Sequence, residues 1–184
     1  MTEMLNIPEL IQRCIADDRR SQKELWDRYA PMMLSICQRY LKDQATAEDV
    51  LVNGMHRMMQ KLSMFKHEGS FEGWIKRIII NECLMELRKN RHQHLTVSID
   101  DVHAEPSVIQ GDPLEYEELL GLMNELPTGY RTVLNLYVVE GYKHREIAKM
   151  LGISINTSKS QLILARKRMQ ALIKKKYKAA KATA

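Results

Sequence analysis

Two small all-α domains joined by an acidic linker are what this sequence predicts, and three observations lead there. The chain of 184 residues is 45% apolar and 28% charged, with only 8 Gly, 5 Pro and 6% aromatic residues. That composition is globular and too poor in turn formers and rings for a β-sandwich. Apolar residues recur at helical spacing through most of the chain. The exception is a stretch from about His92 to Gly111 that contains Pro106 and Gly111 and has no such period. It reads as an extended linker between two bodies.

Within residues 1–91, a first helix is expected over Pro8 to Asp17 and a second over Ser21 to Leu41, with Leu25, Tyr29, Met32, Met33 and Ile36 as its inner stripe. Thr46-Ala47-Glu48-Asp49 reads as an N-cap followed by first-turn acids, opening a helix to about Leu62 whose inner face is Val50, Met58 and Leu62. On that reading the carboxylates of Glu48 and Asp49 answer the helix dipole rather than acid-base chemistry. A loop over Phe65 to Gly69 precedes a helix capped by Ser70, which runs through Trp74, Ile75, Ile78, Ile79 and Leu87 to about Asn90. Connections this short make an antiparallel bundle. Over residues 112–184, Asp112-Pro113-x-Glu115 supplies a cap, a proline at the first helical position and an early acid. Helices follow over Leu114 to Glu125, Thr128 to Val139, Lys143 to Met150 and Ile155 to about Lys175, and Lys176 to Ala184 reads as a solvated basic tail.

Charge is distributed unevenly. Residues 1–91 carry 15 Lys+Arg and 13 Asp+Glu, residues 92–130 carry eight acids and no Lys or Arg, and residues 131–184 carry 13 Lys+Arg against 2 acids. A basic last third points to a polyanion, which would repel the acidic middle. Cys14, Cys37 and Cys83 are odd in number and far apart, so they read as small buried hydrophobes and not as a disulfide framework or zinc site. No apolar run approaches the roughly 20 residues that cross a bilayer, and MTEMLNIPEL lacks the pattern of a signal peptide, so a cytoplasmic protein without membrane insertion is expected. His92-x-His94, with Cys83 or His103, has no recognisable ligand spacing, and P-loop, dinucleotide and nucleophile-elbow motifs are lacking. Neither an enzyme nor a bound cofactor is predicted.

The strongest local pattern is Lys143-His144-Arg145-Glu146-Ile147-Ala148-Lys149-Met150-Leu151-Gly152-Ile153-Ser154 followed directly by a long helix. Ile147 and Leu151 share a face, Ala148 permits close approach, Gly152 supplies the turn and Ser154 caps the next helix, which together describe a helix-turn-helix. In the second helix Ser158, Leu162, Ala165, Met169 and Leu172 form the buried stripe, leaving Lys159, Ser160, Gln161, Ile163, Leu164 and Lys167 on the opposite side. Donors there can meet base edges and phosphates, and Ile163 and Leu164 can touch thymine methyls. A solvated helix in an all-helical domain is the alternative reading of the same pattern.

Leu126-Pro127, Val133-Leu134, Glu140-Gly141-Tyr142, Glu146-Ile147-Ala148, Leu151-Gly152-Ile153-Ser154, Thr157-Ser158-Lys159-Ser160-Gln161-Leu162 and Ala165-Arg166 together resemble the C-terminal domain of bacterial RNA polymerase sigma factors of the extracytoplasmic-function (ECF) type. Ala47-Glu48-Asp49-Val50, Gly69-Ser70-Phe71-x-Gly73-Trp74, Ile78-x-x-Asn81 and Leu87-Arg88 resemble that family's other domain. The resemblance covers about residues 20–175 and implies a region 2 domain over 1–91, a linker over 92–111 and a region 4 domain over 112–184. It further implies that Glu48, Asp49, Asn53 and Arg57 dock on the β′ clamp of core RNA polymerase. The loop from Lys66 to Phe71 would hold a flipped base of the minus-ten element, with Trp74, Lys76, Arg77, Asn81, Leu84 and Arg88 lining the adjoining DNA-facing helix. Trp74 also lies near the core side, where it would serve as a bundle anchor, whereas Asn81, polar within an Ile-Ile-Ile-Asn run, needs a partner.

For the minus-thirty-five element the resemblance implies contacts from Lys159, Ser160, Gln161, Ile163 and Leu164, and phosphate contacts from Thr157, Arg166, Lys167 and Arg168. The implied partners are core RNA polymerase through its β′ clamp and β flap, promoter DNA and, as is common in the family, an anti-sigma factor. Val52-Asn53 stands where the family usually has Gln-Glu, Met55 replaces a common Phe, and Gln161 and Leu164 replace basic residues. An autonomous helix-turn-helix regulator is the rival reading; it requires operator binding without polymerase, as a dimer on a two-fold site.

Overall fold

A computed structural model describes residues 6–91 and 116–182, which divide between two compact units. In unit 1 the helices are α1 (Ile7–Ile15), α2 (Arg19–Tyr40), α3 (Gln44–Gln60) and α4 (Phe71–Arg91), with a 3₁₀ turn at Leu62–Met64. Unit 2 contains α5 (Tyr116–Asn124), α6 (Thr128–Leu134), α7 (His144–Leu151) and α8 (Ile155–Ala182), and α6 runs into a π-helical turn at Asn135–Val139. Among the described residues there is no strand, as the all-α reading expects. The linker 92–111, with His92, His94 and His103, lies outside the described residues, as does the expected cap at Asp112-Pro113.

Unit 1 packs α2, α3 and α4 together around Leu25, Met33, Ile36, Tyr40, Met55, Met58, Ile75, Ile79 and Ile80, all withdrawn from water. Each such side chain contributes about 1.5–3 kcal/mol of transfer free energy. The closest approach is at Gly54 of α3, where a Cβ would stand 2.5 Å from Ile79 Cδ1 and 3.5 Å from Glu82 Cγ. The three cysteines are buried and free, as expected. Contact with Cys37 and burial push the Cys83 thiol well above its ordinary range, and burial raises Cys14 to about 11. Both are therefore protonated packing groups at neutral pH.

Two expected boundaries are corrected. Helix α3 starts at Gln44 and its cap is Asp43, whose carboxylate accepts from Thr46 N–H at 2.8 Å and from Thr46 Oγ1 at 2.7 Å. Thr46 is thus a donor inside the first turn. Glu48 and Asp49 fall in the next turn, exposed and too far along to answer the helix N-terminus. Helix α8 also runs on through Ala182, so the residues from Lys176 continue the helix; Lys176 Nζ reaches Glu118 Oε1 of α5 at 2.9 Å.

The two hydrogen bonds from Thr46 hold the Asp43 carboxyl below its ordinary pKa. Its capping contribution is therefore complete above the unfolded value of about 3.9 and disappears as pH falls through the lower folded value. The expected result is a difference in melting temperature between wild type and Asp43→Ala that is largest above about pH 5 and shrinks towards pH 3. Thermal melts at stepped pH read this directly, and a constant difference would remove the ionised cap.

Candidate polymerase and promoter interfaces

Helix α3 turns Ala47, Val50, Leu51, Gly54, Met55 and Met58 inward, which leaves Glu48, Asp49, Val52, Asn53 and His56 on a continuous outward strip. Val52 is 53% exposed at its centre, so the departure from a polar pair places a bare apolar side chain among acids. Arg57 behaves differently from the other three residues assigned to this face. Its Nη1 lies 2.8 Å from Glu82 Oε1 and 3.8 Å from Met85 Sδ, both on α4. Glu82 is nearly buried and lies against α3, its Cγ 3.5 Å from where a Cβ on Gly54 would sit. Arg57 is therefore engaged across the α3–α4 seam, which the sequence did not reveal because spacing alone cannot pair residues on two helices.

The loop before α4 is built on an aromatic cluster. Phe65 meets Phe71 at 5.1 Å and Trp74 at 5.4 Å between ring centroids, Phe71 stacks on Trp74 at 5.7 Å and 21°, and Tyr29 of α2 meets Phe71 edge-on at 5.5 Å. The chain's only two phenylalanines thus support one loop. His67 and Gly69 adopt left-handed backbone, with φ of 56° and 82°, and the exposed His67 ring rests on Phe65 at 4.9 Å. Ser70 Oγ accepts from Gly73 N–H at 3.3 Å, the expected cap. Loop 66–70 is exposed throughout, above this largely buried aromatic cluster.

Along α4 the assigned residues separate by burial. Arg77, Asn81 and Arg88 lie on one exposed strip, Lys66 is exposed in the loop before the helix, and Lys76 is half-buried and paired with Glu72 at 2.7 Å. Asn81 is exposed, so the partner its polarity calls for is water or a group outside unit 1 rather than a buried side chain. Phe71 is buried in the cluster and Trp74 half-buried, the anchor position. Leu84 is corrected outright: at 2% exposure its side chain belongs to the core and cannot line a DNA-facing surface. One residue along, Met85 is the exposed side chain on that turn.

Unit 2 forms the expected helix-turn-helix. Glu146 Oε2 accepts from Lys143 N–H at 2.8 Å to open α7, and Gly152 closes it at φ 66°, ψ 36°, a left-handed conformation that suits glycine. Ser154 Oγ accepts from Thr157 N–H at 2.9 Å to start α8. Ser158, Leu162, Ala165 and Met169 are buried, as their spacing predicts, whereas Leu172, the last of the expected stripe, is half-buried. Lys159, Ser160, Ile163, Arg166 and Arg168 are exposed, while Thr157, Gln161, Leu164 and Lys167 are half-buried. Gln161 turns back over α6, with its Nε2 only 3.4 Å from where a Cβ on Gly129 would sit. Its amide would have to swing away to reach a base.

Two features were not legible beforehand. Arg131, counted within the basic last third, is 1% exposed and donates from Nη1 to Asn124 Oδ1 at 3.3 Å. Burial lowers its pKa to about 10, so it remains a cation but is unavailable to a polyanion. His144 Nδ1 and Ser158 Oγ share a hydrogen bond at 2.9 Å that ties α7 to α8. Among the described residues no three His, Cys, Asp or Glu side chains come together as metal ligands, and no helix is long and apolar enough to cross a membrane.

Comparison with known proteins agrees with this geometry in both units. Residues 25–93 match the family model described as Sigma-70 region 2, and residues 116–169 that described as Sigma-70, region 4. The ECF RNA polymerase sigma factor SigM of Bacillus subtilis is 30% identical over 135 residues, which are 71% of this chain and 82% of that protein. SigM of Mycobacterium tuberculosis is 24% identical over 168 residues, covering 90% of this chain and 83% of the relative. Among solved structures, the sigma factor RpoE from Bartonella quintana, in complex with the anti-sigma factor NepR, aligns with a TM-score of 0.54 at 23% identity over 83% of this chain and 96% of that one. CnrH, in complex with the cytosolic domain of CnrY, aligns with a TM-score of 0.50 at 18% identity over 90% of this chain and 95% of that one. With two sigma regions in order along one polypeptide and a 30%-identical relative spanned over most of its length, the chain belongs to the ECF family of RNA polymerase sigma factors.

Proposed function

We propose that this sigma factor divides its work between two bodies: residues 1–91 bind core polymerase and capture the minus-ten element, residues 92–111 link, and residues 112–184 read the minus-thirty-five element. The observation that carries this reading is that each unit presents its own exposed polar strip on a rigid helix. In unit 1, α3 offers Glu48, Asp49 and Asn53 to the β′ clamp, and α4 offers Arg77, Asn81 and Arg88, with Lys66, to melted DNA. Polar groups read an extruded base, cations hold its backbone, and loop 66–70 receives its ring. In unit 2, Lys159, Ser160 and Ile163 meet base edges while Thr157, Lys167 and Arg168 meet phosphates.

Melting on this scheme needs no covalent chemistry by the chain, because capture of unpaired bases offsets unstacking. The factor works in the cytoplasm alongside core polymerase, with the β flap as a contact of unit 2. RpoE's complex with NepR supports an anti-sigma partner for this chain as well. An autonomous regulator leaves the region 2 unit without a task.

Run-off transcription on fragmented genomic DNA with the cognate core polymerase tests the whole reading. Start sites that need both components, each preceded by the same pair of short motifs, are the expected result. Retention of particular fragments by the chain alone, with no effect on start sites, would favour the regulator instead. For the clamp face, Asp49→Lys is the informative reversal, since Arg57→Glu would set a second carboxylate against Glu82. Asp49→Lys is expected to weaken core binding by about tenfold, in line with loss of an interfacial charge pair, while leaving promoter choice unchanged. Competition for core polymerase measures the first and start-site mapping the second.

A further inference from the structure

The π-helical turn after α6 has an uncommon consequence for the recognition helix. Glu140 N–H donates to Asn135 O at 3.0 Å and Tyr142 N–H to Leu136 O at 2.9 Å, so the backbone widens where an α-helix would continue. In an unbroken α-helix Tyr137 would share the face of Val133, four residues earlier and fully buried. The wide turn instead leaves Tyr137 at 36% exposure. Its ring is held on one side by His144, stacked at 4.5 Å and 24°, and His144 is itself fixed by the hydrogen bond to Ser158 on the buried stripe of α8. The Arg166 guanidinium carbon lies 5.8 Å from the Tyr137 ring centroid, within reach of a cation–π contact.

The geometry points to Tyr137 and His144 as positioning residues that hold Arg166 of the recognition helix ready for a DNA phosphate. Three elements converge on one guanidinium: the π turn supplies the ring, α7 supplies its backing, and α8 supplies the cation. Arg166 is exposed and stands at the flank of the strip carrying the exposed Ser160 and Ile163 and the half-buried Lys167. In groove recognition phosphate contacts border base contacts in this way. A surface arginine normally loses rotamer freedom on reaching a phosphate; one already resting on a ring loses less when DNA arrives. This inference rests on the reading of unit 2 as the minus-thirty-five module, and it assigns to Tyr137 and His144 a role separate from base readout.

The test measures holoenzyme affinity for a promoter duplex across a series of KCl concentrations, for wild type, Arg166→Ala, Tyr137→Ala, Tyr137→Leu and Tyr137→Phe. Loss of one phosphate contact makes the slope of log affinity against log salt shallower by about one. Arg166→Ala is expected to show that change, with about tenfold weaker binding at low salt. Tyr137→Ala and Tyr137→Leu are expected to move in the same direction by a smaller amount, to add little to Arg166→Ala, and to leave melting temperature close to wild type. Tyr137→Phe, which keeps the π face, should bind as wild type. A normal slope in Tyr137→Ala and Tyr137→Leu beside a reduced slope in Arg166→Ala overturns the positioning role alone. A normal slope in Arg166→Ala overturns the phosphate contact and the positioning role with it.

Discussion

Replacing Gly54 by leucine is expected to be the most destabilising single change in unit 1. The first added carbon already overlaps Ile79 Cδ1 at 2.5 Å, so this fully buried side chain must shift to admit it. Alanine would gain about 1 kcal/mol of helix propensity against an overpacking cost of about 1–3 kcal/mol. Gly54→Ala is therefore mildly destabilising, and leucine, with three further carbons to place, should exceed the upper end of that range. For a domain of this size each kcal/mol lowers the melting temperature by about 4–8 °C, so a fall on the order of 15 °C or more is expected for the region 2 unit. The effect should extend to function, because moving α3 off α4 separates Arg57 from Glu82 and shifts the outward strips of both helices together. Thermal melting and core-polymerase competition measure the two effects. A Gly54→Leu chain that melts like wild type would mean the α3–α4 seam is looser than its geometry indicates.

Why some of this molecule was legible in its sequence and some was not follows from the range of each interaction. The helix-turn-helix depends on local chemistry: a left-handed turn at Gly152, a Ser154 hydroxyl three residues from the N–H it caps, and buried positions four and three apart. All of that is encoded within a few residues and was anticipated. The start of α3 was misplaced because Asp43 and Thr46 are both good caps, and the choice between them depends on which side chain donates; only Asp43 has an acceptor without a competing proton. Leu84 was assigned outward on motif position, although an apolar residue three after Asn81 and four after Ile80 belongs equally to the inner stripe, and packing decided for the core.

The missed features are all pairings between separate elements. Glu82 with Arg57, Arg131 with Asn124 and His144 with Ser158 each join residues on two different helices, so the periodicity within either helix does not pair them. Arg131 shows the functional cost of ignoring this. A charge count assigns it to the DNA-facing surface, whereas burial removes it. The aromatic cluster had a faint signal, in that both phenylalanines and Trp74 fall within ten residues, but nothing local indicated that Tyr29 of α2 would close it.

Ile163→Glu is expected to abolish upstream recognition while leaving the fold intact. Ile163 is 55% exposed in the middle of α8's outward strip, between Ser160 and Lys167, and no packing need in unit 2 accounts for an isoleucine there. Burying it against a thymine methyl in the major groove would account for it, since apolar contact to that methyl is one of the few ways a side chain without donors can discriminate bases. Removing a single favourable base contact costs about 1–3 kcal/mol. Glutamate adds repulsion from the phosphates and a carboxylate that must be desolvated in the groove, so a loss of about two orders of magnitude in promoter affinity is expected. Ile163→Ala should lose the contact without the repulsion, giving about a five- to tenfold loss confined to promoters with thymine at the contacted position. Melting temperature and competition for core polymerase should be unchanged in both variants, because the side chain lies outside the core of unit 2 and the clamp face is assigned to unit 1. Holoenzyme affinities and start-site profiles over a set of single-base promoter variants separate the two effects. Normal initiation by Ile163→Glu would move the recognition surface off this strip of α8 and leave an exposed isoleucine with no task.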